Sequence, residues 1–377
     1  MRPGLRLTRL TLSQFRSYAA LDWRPAADVV VMTGPNGAGK TNLLEAISLL
    51  APGRGLRGTR IAEVIRQGQT AWAVHGRFET PGGEMEIGTG TAPEAASDRR
   101  IFRLDGVAPR NQAELGARYA CVWLTPQMDR LFQEGASGRR RFLDRLVYAF
   151  EPSHAREVAA YEAAMAGRNR LLAEGRGDRV WLAGLEDSMA RHAVAVSAAR
   201  AALVARMNAA PAAGAFPAAL LGLACEIGQH LAAHPAVETE DWLRGVLQAN
   251  RGADAAAGSA RQGAHRADLT MADAATGLAA AQASTGQQKA LLLGMILGHA
   301  GLLSAARGFA PLLLLDEPLV HLDATRRDAL FDTLLRLPAQ SFLTGTDSGP
   351  FLALRGAAAG FMVQPGGDLR ADPALGP

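Results

Sequence analysis

The sequence predicts an α/β fold, a mixed sheet with flanking helices whose two halves are separated along the chain by an inserted, mostly helical lobe. Three observations carry this. The N-terminal third alternates apolar and polar residues in short runs divided by Gly and Pro, the pattern of strands. A glycine-rich loop then joins an apolar run to an amphipathic helix. A second apolar run ends in two carboxylates, Asp316 and Glu317, 276 residues beyond Lys40 of that loop. Residues 1–125 are expected to form the N-terminal part of the sheet-bearing lobe, 126–270 the helical insertion, and 271–377 the segment that completes the first lobe.

In order, strands are expected at Leu5–Leu12, Val29–Met32, Ala71–Phe78 and Arg100–Leu104. Leu43, Leu44, Ile47 and Leu50 fall on one helical face, and Pro52-Gly53 ends that helix. From about Pro126 to Arg206 the pattern is helical, with Phe142–Phe150, Ala155–Ala173 and Ala183–Met207, broken by Gly167, Gly175, Gly177 and Gly184. No heptad array long enough for a coiled-coil arm appears. A loop is expected from Arg251 to His265, then helix Gln287–Ala306, strand Pro311–Leu315, helix Ala324–Leu337 and strand Ser341–Thr344.

Composition bounds the function. With 377 residues, 48% apolar and 20% charged, the chain can build a sizeable core, which excludes a disordered tail protein. Met207–Cys225 is interrupted by two prolines and Ala290–Leu303 is short, so no membrane span is expected. The opening residues lack a basic region followed by an apolar one, and cytoplasmic residence is the expectation. Cys121 and Cys225 alone give neither a disulfide framework nor a cysteine metal site. A net charge of +4 permits an anionic partner without requiring one. Among the 40 basic residues only Lys40 and Lys289 are lysine.

Gly34-Pro35-Asn36-Gly37-Ala38-Gly39-Lys40-Thr41 fits G-x-x-x-x-G-K-[ST] between a strand and a helix, the context in which backbone N–H groups cradle phosphates. Lys40 would meet the β and γ phosphates of a nucleotide and Thr41 would ligate Mg²⁺, with Asn42 next in line. Asp316 would hold the metal, and Glu317 would take the proton of an attacking water. Taken alone, Asp316 and Glu317 would read as a buried strand ending in two solvated carboxylates; beside the phosphate loop the metal-and-base reading is preferred.

Ser284-Thr285-Gly286-Gln287-Gln288-Lys289 opens an apolar helix and is similar to the signature of ABC-type ATPases, with Thr285 where glycine is usual. An ordinary serine N-cap would leave the same trace. Leu319–Asp323 resembles the loop that crosses the dimer interface in that superfamily. The resemblance implies that Ser284, Gly286, Gln287 and Asp323 act on nucleotide across a head-to-head dimer. Gln127, after Leu124-Thr125-Pro126, would be the glutamine that follows the first lobe, or a plain surface residue.

Within that superfamily the chain resembles the RecF family from about Leu5 to Thr346. The matching blocks include Leu10–Tyr18, Asn42–Ile47, Arg54–Arg57, Arg139–Asp144 and Gly263–Leu269. The fold implied is an ABC-type P-loop ATPase head with a helical second lobe. The activity implied is slow, DNA-stimulated ATP hydrolysis with ATP and Mg²⁺. The partners implied are double-stranded and gapped DNA, RecR and RecO directly and RecA and SSB functionally, in a pathway of repair, replication restart and the SOS response. Arg54, Arg57 and Arg60, then Arg139, Arg140 and Arg141, then Arg261, His265 and Arg266 are the basic clusters available to DNA phosphates, though a solvated or ion-paired surface is the readier account of any one of them. Leu343-Thr344-Gly345-Thr346-Asp347 lacks the histidine that ABC ATPases commonly carry there. A binding module with negligible turnover, a P-loop kinase and a transporter ATPase each account for fewer of these motifs.

Overall fold

The computed structural model describes residues 4–25, 27–91, 100–175, 178–210 and 214–376. The chain divides into two compact units, one of Met1–Asp129, Pro211–Ala218 and Ser284–Pro377, the other of Arg130–Ala210 and Ala219–Ala283. Residues 271–283 therefore group with the inserted unit rather than with the C-terminal segment, because a strand over Asp268–Asp273 pairs inside that unit.

The first unit holds two sheets. One is antiparallel, ordered β2 (Tyr18–Trp23), β1 (Arg6–Phe15), β4 (Ala73–Thr80), β5 (Gly83–Gly90), β6 (Ile101–Leu104). The other is ordered β13 (Leu369–Ala371), β12 (Ala359–Val363), β3 (Val29–Thr33), β11 (Ser341–Thr344), β10 (Leu312–Leu315), β7 (Cys121–Leu124), and all its pairings except β12 with β13 are parallel. β3, β10 and β11 are buried at every position, as strands covered on both faces must be, hence the apolar runs Val29–Met32 and Leu312–Leu315. β4 and β5 bury alternate residues. β5 escapes a sequence reading because Gly83, Gly88 and Gly90 dilute its Met85 and Ile87.

Helix α1 (Lys40–Leu49) turns Leu43, Leu44 and Ile47 into a core shared with Leu7, Leu10 and Leu12 of β1 and Val30 and Met32 of β3. A short α2 (Gln112–Arg118) precedes β7. Helix α9 (Thr285–Arg307) is long and apolar enough to cross a membrane by length and composition, yet 67% of its most apolar window is buried inside the protein. Asp323 caps α10 (Ala324–Arg336).

The second unit contains α3 (Ala136–Phe150), α4 (His154–Glu174), α5 (Arg179–Ala209), α6 (Glu226–Ala233), α7 (Ala236–Ala249), α8 (Arg251–Ala257) and the antiparallel pair β8 (Ala219–Ala224) and β9 (Asp268–Asp273). Two expectations are corrected. Gly167 and Gly184 lie inside α4 and α5 instead of breaking them, since packing outweighs the roughly 1 kcal/mol that an interior glycine costs. At Gly167 a Cβ would stand 3.3 Å from Leu185, so its smallness lets the two helices approach. Gly175 does end α4, and Gly177 lies outside the described residues. The expected loop from Arg251 is helical to Ala257, because Asp254 is drawn inward to a wholly buried Arg168 at 2.8 Å. Arg168 also donates to Glu186 at 3.0 Å and to the Leu247 carbonyl at 2.7 Å, tying α4 to α5, α7 and α8.

Candidate nucleotide site

The loop from Gly34 to Gly39 leaves the C-terminal end of β3 and enters α1 at Lys40. Gly34 has φ +146°, and a Cβ there would stand 2.2 Å from the Val363 carbonyl of β12, so only glycine fits. Pro35, Asn36, Gly37 and Ala38 complete the turn, with the Ala38 N–H donating to the Pro35 carbonyl at 3.2 Å. Lys40, 5% exposed, folds its ammonium back to donate to the carbonyls of Gly34 (2.6 Å) and Pro35 (3.0 Å). Burial pulls its pKa below the ordinary lysine value, against the opposing pull of the Glu317 and Asp316 carboxylates.

The Thr41 hydroxyl donates to both carboxylate oxygens of Asp316, each at 3.0 Å. Asp316 follows β10, whose parallel pairing with β7 and β11 brings it to the same sheet edge as the loop. Thr344, at the end of β11, donates to Asp316 Oδ1 at 2.8 Å and accepts the Glu317 N–H at 2.8 Å. Thr344 is a further residue of this site that its sequence context does not mark; the strand Ser341–Thr344, ending beside the place where ABC ATPases commonly carry a histidine, is its one signal.

A cluster contributed by the β1–β2 turn braces the loop. Tyr18 donates to the Gly39 carbonyl at 3.2 Å, and Asn42 donates to Ser17 at 2.9 Å. The wholly buried Glu45 accepts from Arg16 at 2.9 and 2.7 Å and from Arg57 at 2.7 Å, while Arg57 also donates to Asn42 at 2.8 Å.

For the cofactors, the donor chemistry is the test. A hydroxyl and a carboxylate converging within 3.0 Å are hard oxygen donors of the kind Mg²⁺ takes, and a cationic lysine at a helix N-terminus suits phosphate. The residues fit both groups.

The signature segment is built as a cap. Ser284 Oγ accepts the Gln287 N–H at 3.3 Å and Gln287 Oε1 accepts the Ser284 N–H at 2.9 Å, a reciprocal capping box opening α9. Gly286 is required by close approach, since a Cβ would lie 2.8 Å from the His321 carbonyl. Asp323 accepts the Arg326 N–H at 2.8 Å as the cap of α10. Gln127 is exposed on a 3₁₀ turn, Pro126–Arg130, just beyond β7.

The arginine clusters divide. Arg54, Arg60 and Arg141 are exposed. Arg57 is held by Glu45, Arg139 pairs with both oxygens of Asp268 at 2.7 and 2.9 Å, and Arg140 donates to the Ala267 carbonyl at 2.9 Å. His265 accepts from Tyr161 at 2.6 Å through Nδ1 and donates to the Ala260 carbonyl at 2.9 Å through Nε2. Burial holds its pKa below the ordinary histidine value.

A phosphate loop joined to a carboxylate-ended strand, with a capped signature helix on the same unit, defines the head of an ABC-type ATPase. A family model described as the RecF/RecN/SMC N terminal domain matches residues 6–355. The DNA replication and repair protein RecF of Mesorhizobium japonicum is 45% identical over 93% of this chain and 94% of its own, and that of Agrobacterium fabrum 44% over 96% and 97%. A solved structure described as the recombination mediator protein RecF-ATPrS in the RecFOR pathway superposes with a TM-score of 0.85 over 98% of this chain and 99% of its own, at 21% identity. The chain belongs to the RecF family.

Proposed function

We propose that this protein is an ATP-dependent, DNA-binding recombination mediator for gapped DNA, a switch that closes as a dimer when ATP binds and reopens on slow hydrolysis. The observation that carries the reading is the Thr41–Asp316 contact, which brings together two motifs 275 residues apart at what would be one metal and phosphate site. Gly34 to Thr41 and Asn42 would hold the phosphates. Lys40 would leave the loop carbonyls for phosphate oxygens and offset their charge. Thr41 and Asp316 would hold Mg²⁺, which when bound would neutralise charge on the phosphate oxygens. Glu317 would accept the proton of the attacking water, so that ATP and water give ADP and phosphate. Ser284, Gly286, Gln287 and Asp323 would complete the site of the partner protomer, and Gln127 would report its occupancy. Within the first two clusters Arg54, Arg60 and Arg141 are exposed and would be the first to reach DNA phosphates. The names of the relatives support a role in DNA replication and repair and in the RecFOR pathway; RecO and RecR as direct partners, RecA and SSB as functional ones, the SOS response and a cytoplasmic location belong to our proposal beyond those names.

The test is fluorescence anisotropy of duplex and gapped DNA with ATP and then ADP across a salt series, beside sedimentation of Glu317→Gln. Binding that appears with ATP and fades with salt, and a Glu317→Gln variant that stays dimeric on DNA, are expected. Equal or absent binding with both nucleotides, or a monomeric Glu317→Gln under saturating ATP, would refute the switch.

A further inference from the structure

Lys289 is one of two lysines in the chain, and it is 1% exposed in the second turn of α9. A buried ammonium is tolerated only with partners. Here it donates to Asp129 Oδ2 at 3.2 Å and to the backbone carbonyl of Glu317 at 3.0 Å. Asp129 lies on the same 3₁₀ turn as Gln127, two residues on, and its Oδ1 is buried with no hydrogen-bond partner among the described residues. Glu317 has φ +47°, a left-handed conformation that a residue with a side chain keeps only when its surroundings impose it. Those surroundings are specific. Thr344 accepts the Glu317 N–H on one side, and Lys289 holds its carbonyl on the other.

We propose that Lys289 is a positioning residue, which pins the Glu317 backbone so that its carboxylate is presented for water activation, and which couples that pose to the signature helix and the Gln127 turn. A motion of the Ser284 end of α9, or of the turn Pro126–Arg130, is thereby felt at Glu317 through one ammonium. The inference rests on the reading of Glu317 as the base. Lys289 is buried behind the Glu317 backbone and its ammonium is taken by Asp129 and the Glu317 carbonyl, so its loss acts on the chemical step and leaves nucleotide binding to the loop.

The experiment uses the full chain as wild type, Lys289→Met, Lys289→Arg, Asp129→Asn and Glu317→Gln. It measures kcat and KM for ATP with duplex DNA, the Kd of a fluorescent ATP analogue, and amide hydrogen exchange over residues 312–320 without nucleotide. Lys289→Met is expected to lower kcat by about 100-fold, the scale of a misplacement of about 1 Å at a reacting group, to leave Kd within about twofold, and to speed exchange near Glu317. Lys289→Arg restores part of kcat, and Asp129→Asn lowers it with Kd unchanged. A Lys289→Met enzyme with wild-type kcat, while Glu317→Gln is inactive, overturns the proposal alone. If wild type and Glu317→Gln turn over equally, the base reading falls and the proposal with it. Should Lys289→Met not fold, Asp129→Asn decides: unchanged kcat overturns the proposal, and reduced kcat with intact Kd supports it.

Discussion

Glu45 is the sharpest point at which to perturb the braced phosphate loop. Its side chain is wholly buried on α1, four residues past Thr41, and it accepts three guanidinium hydrogen bonds, two from Arg16 and one from Arg57. Glu45→Gln keeps the shape, removes the charge and turns an NH₂ group toward those donors. Removing one partner of a fully buried ion pair costs about 3–5 kcal/mol. Arg16 and Arg57 retain side-chain exposures of 19% and 31%, so water recovers part of the loss, and a cost of about 2–3 kcal/mol is expected. At roughly 2–4 °C per kcal/mol for a unit of this size, the melting temperature should fall by about 4–12 °C. Differential scanning calorimetry provides the assay, with Arg9→Ala as control because the Arg9–Asp22 pair is half exposed and should leave the melt unchanged. Since Asn42 shares Arg57 with Glu45, nucleotide binding should weaken in parallel. A Glu45→Gln melt that superposes on wild type would refute the view that this cluster holds the helix behind the phosphate loop.

Lys40→Met should weaken nucleotide binding by about 10- to 100-fold, the worth of one or two charge-assisted hydrogen bonds, read by titration with a fluorescent nucleotide while the melt stays close to wild type. Combined Arg54→Glu and Arg60→Glu should lower DNA affinity and reduce the slope of log affinity against log salt by about two, whereas Arg139→Ala should act on stability because Arg139 is spent on Asp268. His265, buried and hydrogen-bonded in its neutral form, binds its proton less readily folded than unfolded. Its contribution is therefore present above the ordinary histidine value near 6.5 and is lost as pH falls through the lower folded value. A melting series from pH 8 to 5 should show stability declining below about 6.5, and His265→Gln should flatten that decline. Chelation with EDTA should remove most of the nucleotide-induced rise in melting temperature, and Asp316→Asn should make that rise insensitive to the chelator.

What was legible in the sequence, and what was not, follows from how each feature is encoded. The phosphate loop, α1, β3, β10 and α9 were readable because local rules dictate them. Glycine at forced φ, an apolar run buried on both faces, and a serine three residues before a capping glutamine each leave a trace within a few positions. The helical unit hid two features for the same reason. Alanine-rich helices have little amphipathic contrast, so Gly167 and the stretch after Arg251 looked like breaks. Their helicity is imposed by contacts distant in sequence, Leu185 against Gly167 and Arg168 against Asp254. The arginine clusters could not be sorted from the sequence because adjacency does not say which side chain already has a partner. Arg139 and Arg140 point to Asp268 and Ala267, more than a hundred residues away.

The contacts of Thr344 behind the nucleotide site were illegible for a chemical reason. A search for a histidine beyond β11 looks for a residue type, whereas the position is defined by a contact. The Thr344 hydroxyl meets Asp316 and the Glu317 backbone together, and it can donate to one while accepting from the other. Thr344 is wholly buried, so both contacts are shielded from water. On this geometry Asp316 and Glu317 are oriented by groups of their own chain, Thr344 and Lys289. Thr344→Val, which keeps the volume and loses the hydroxyl, should accordingly lower turnover without weakening ATP-dependent dimerisation. Wild-type turnover in Thr344→Val would show that this hydroxyl does not set the carboxylates.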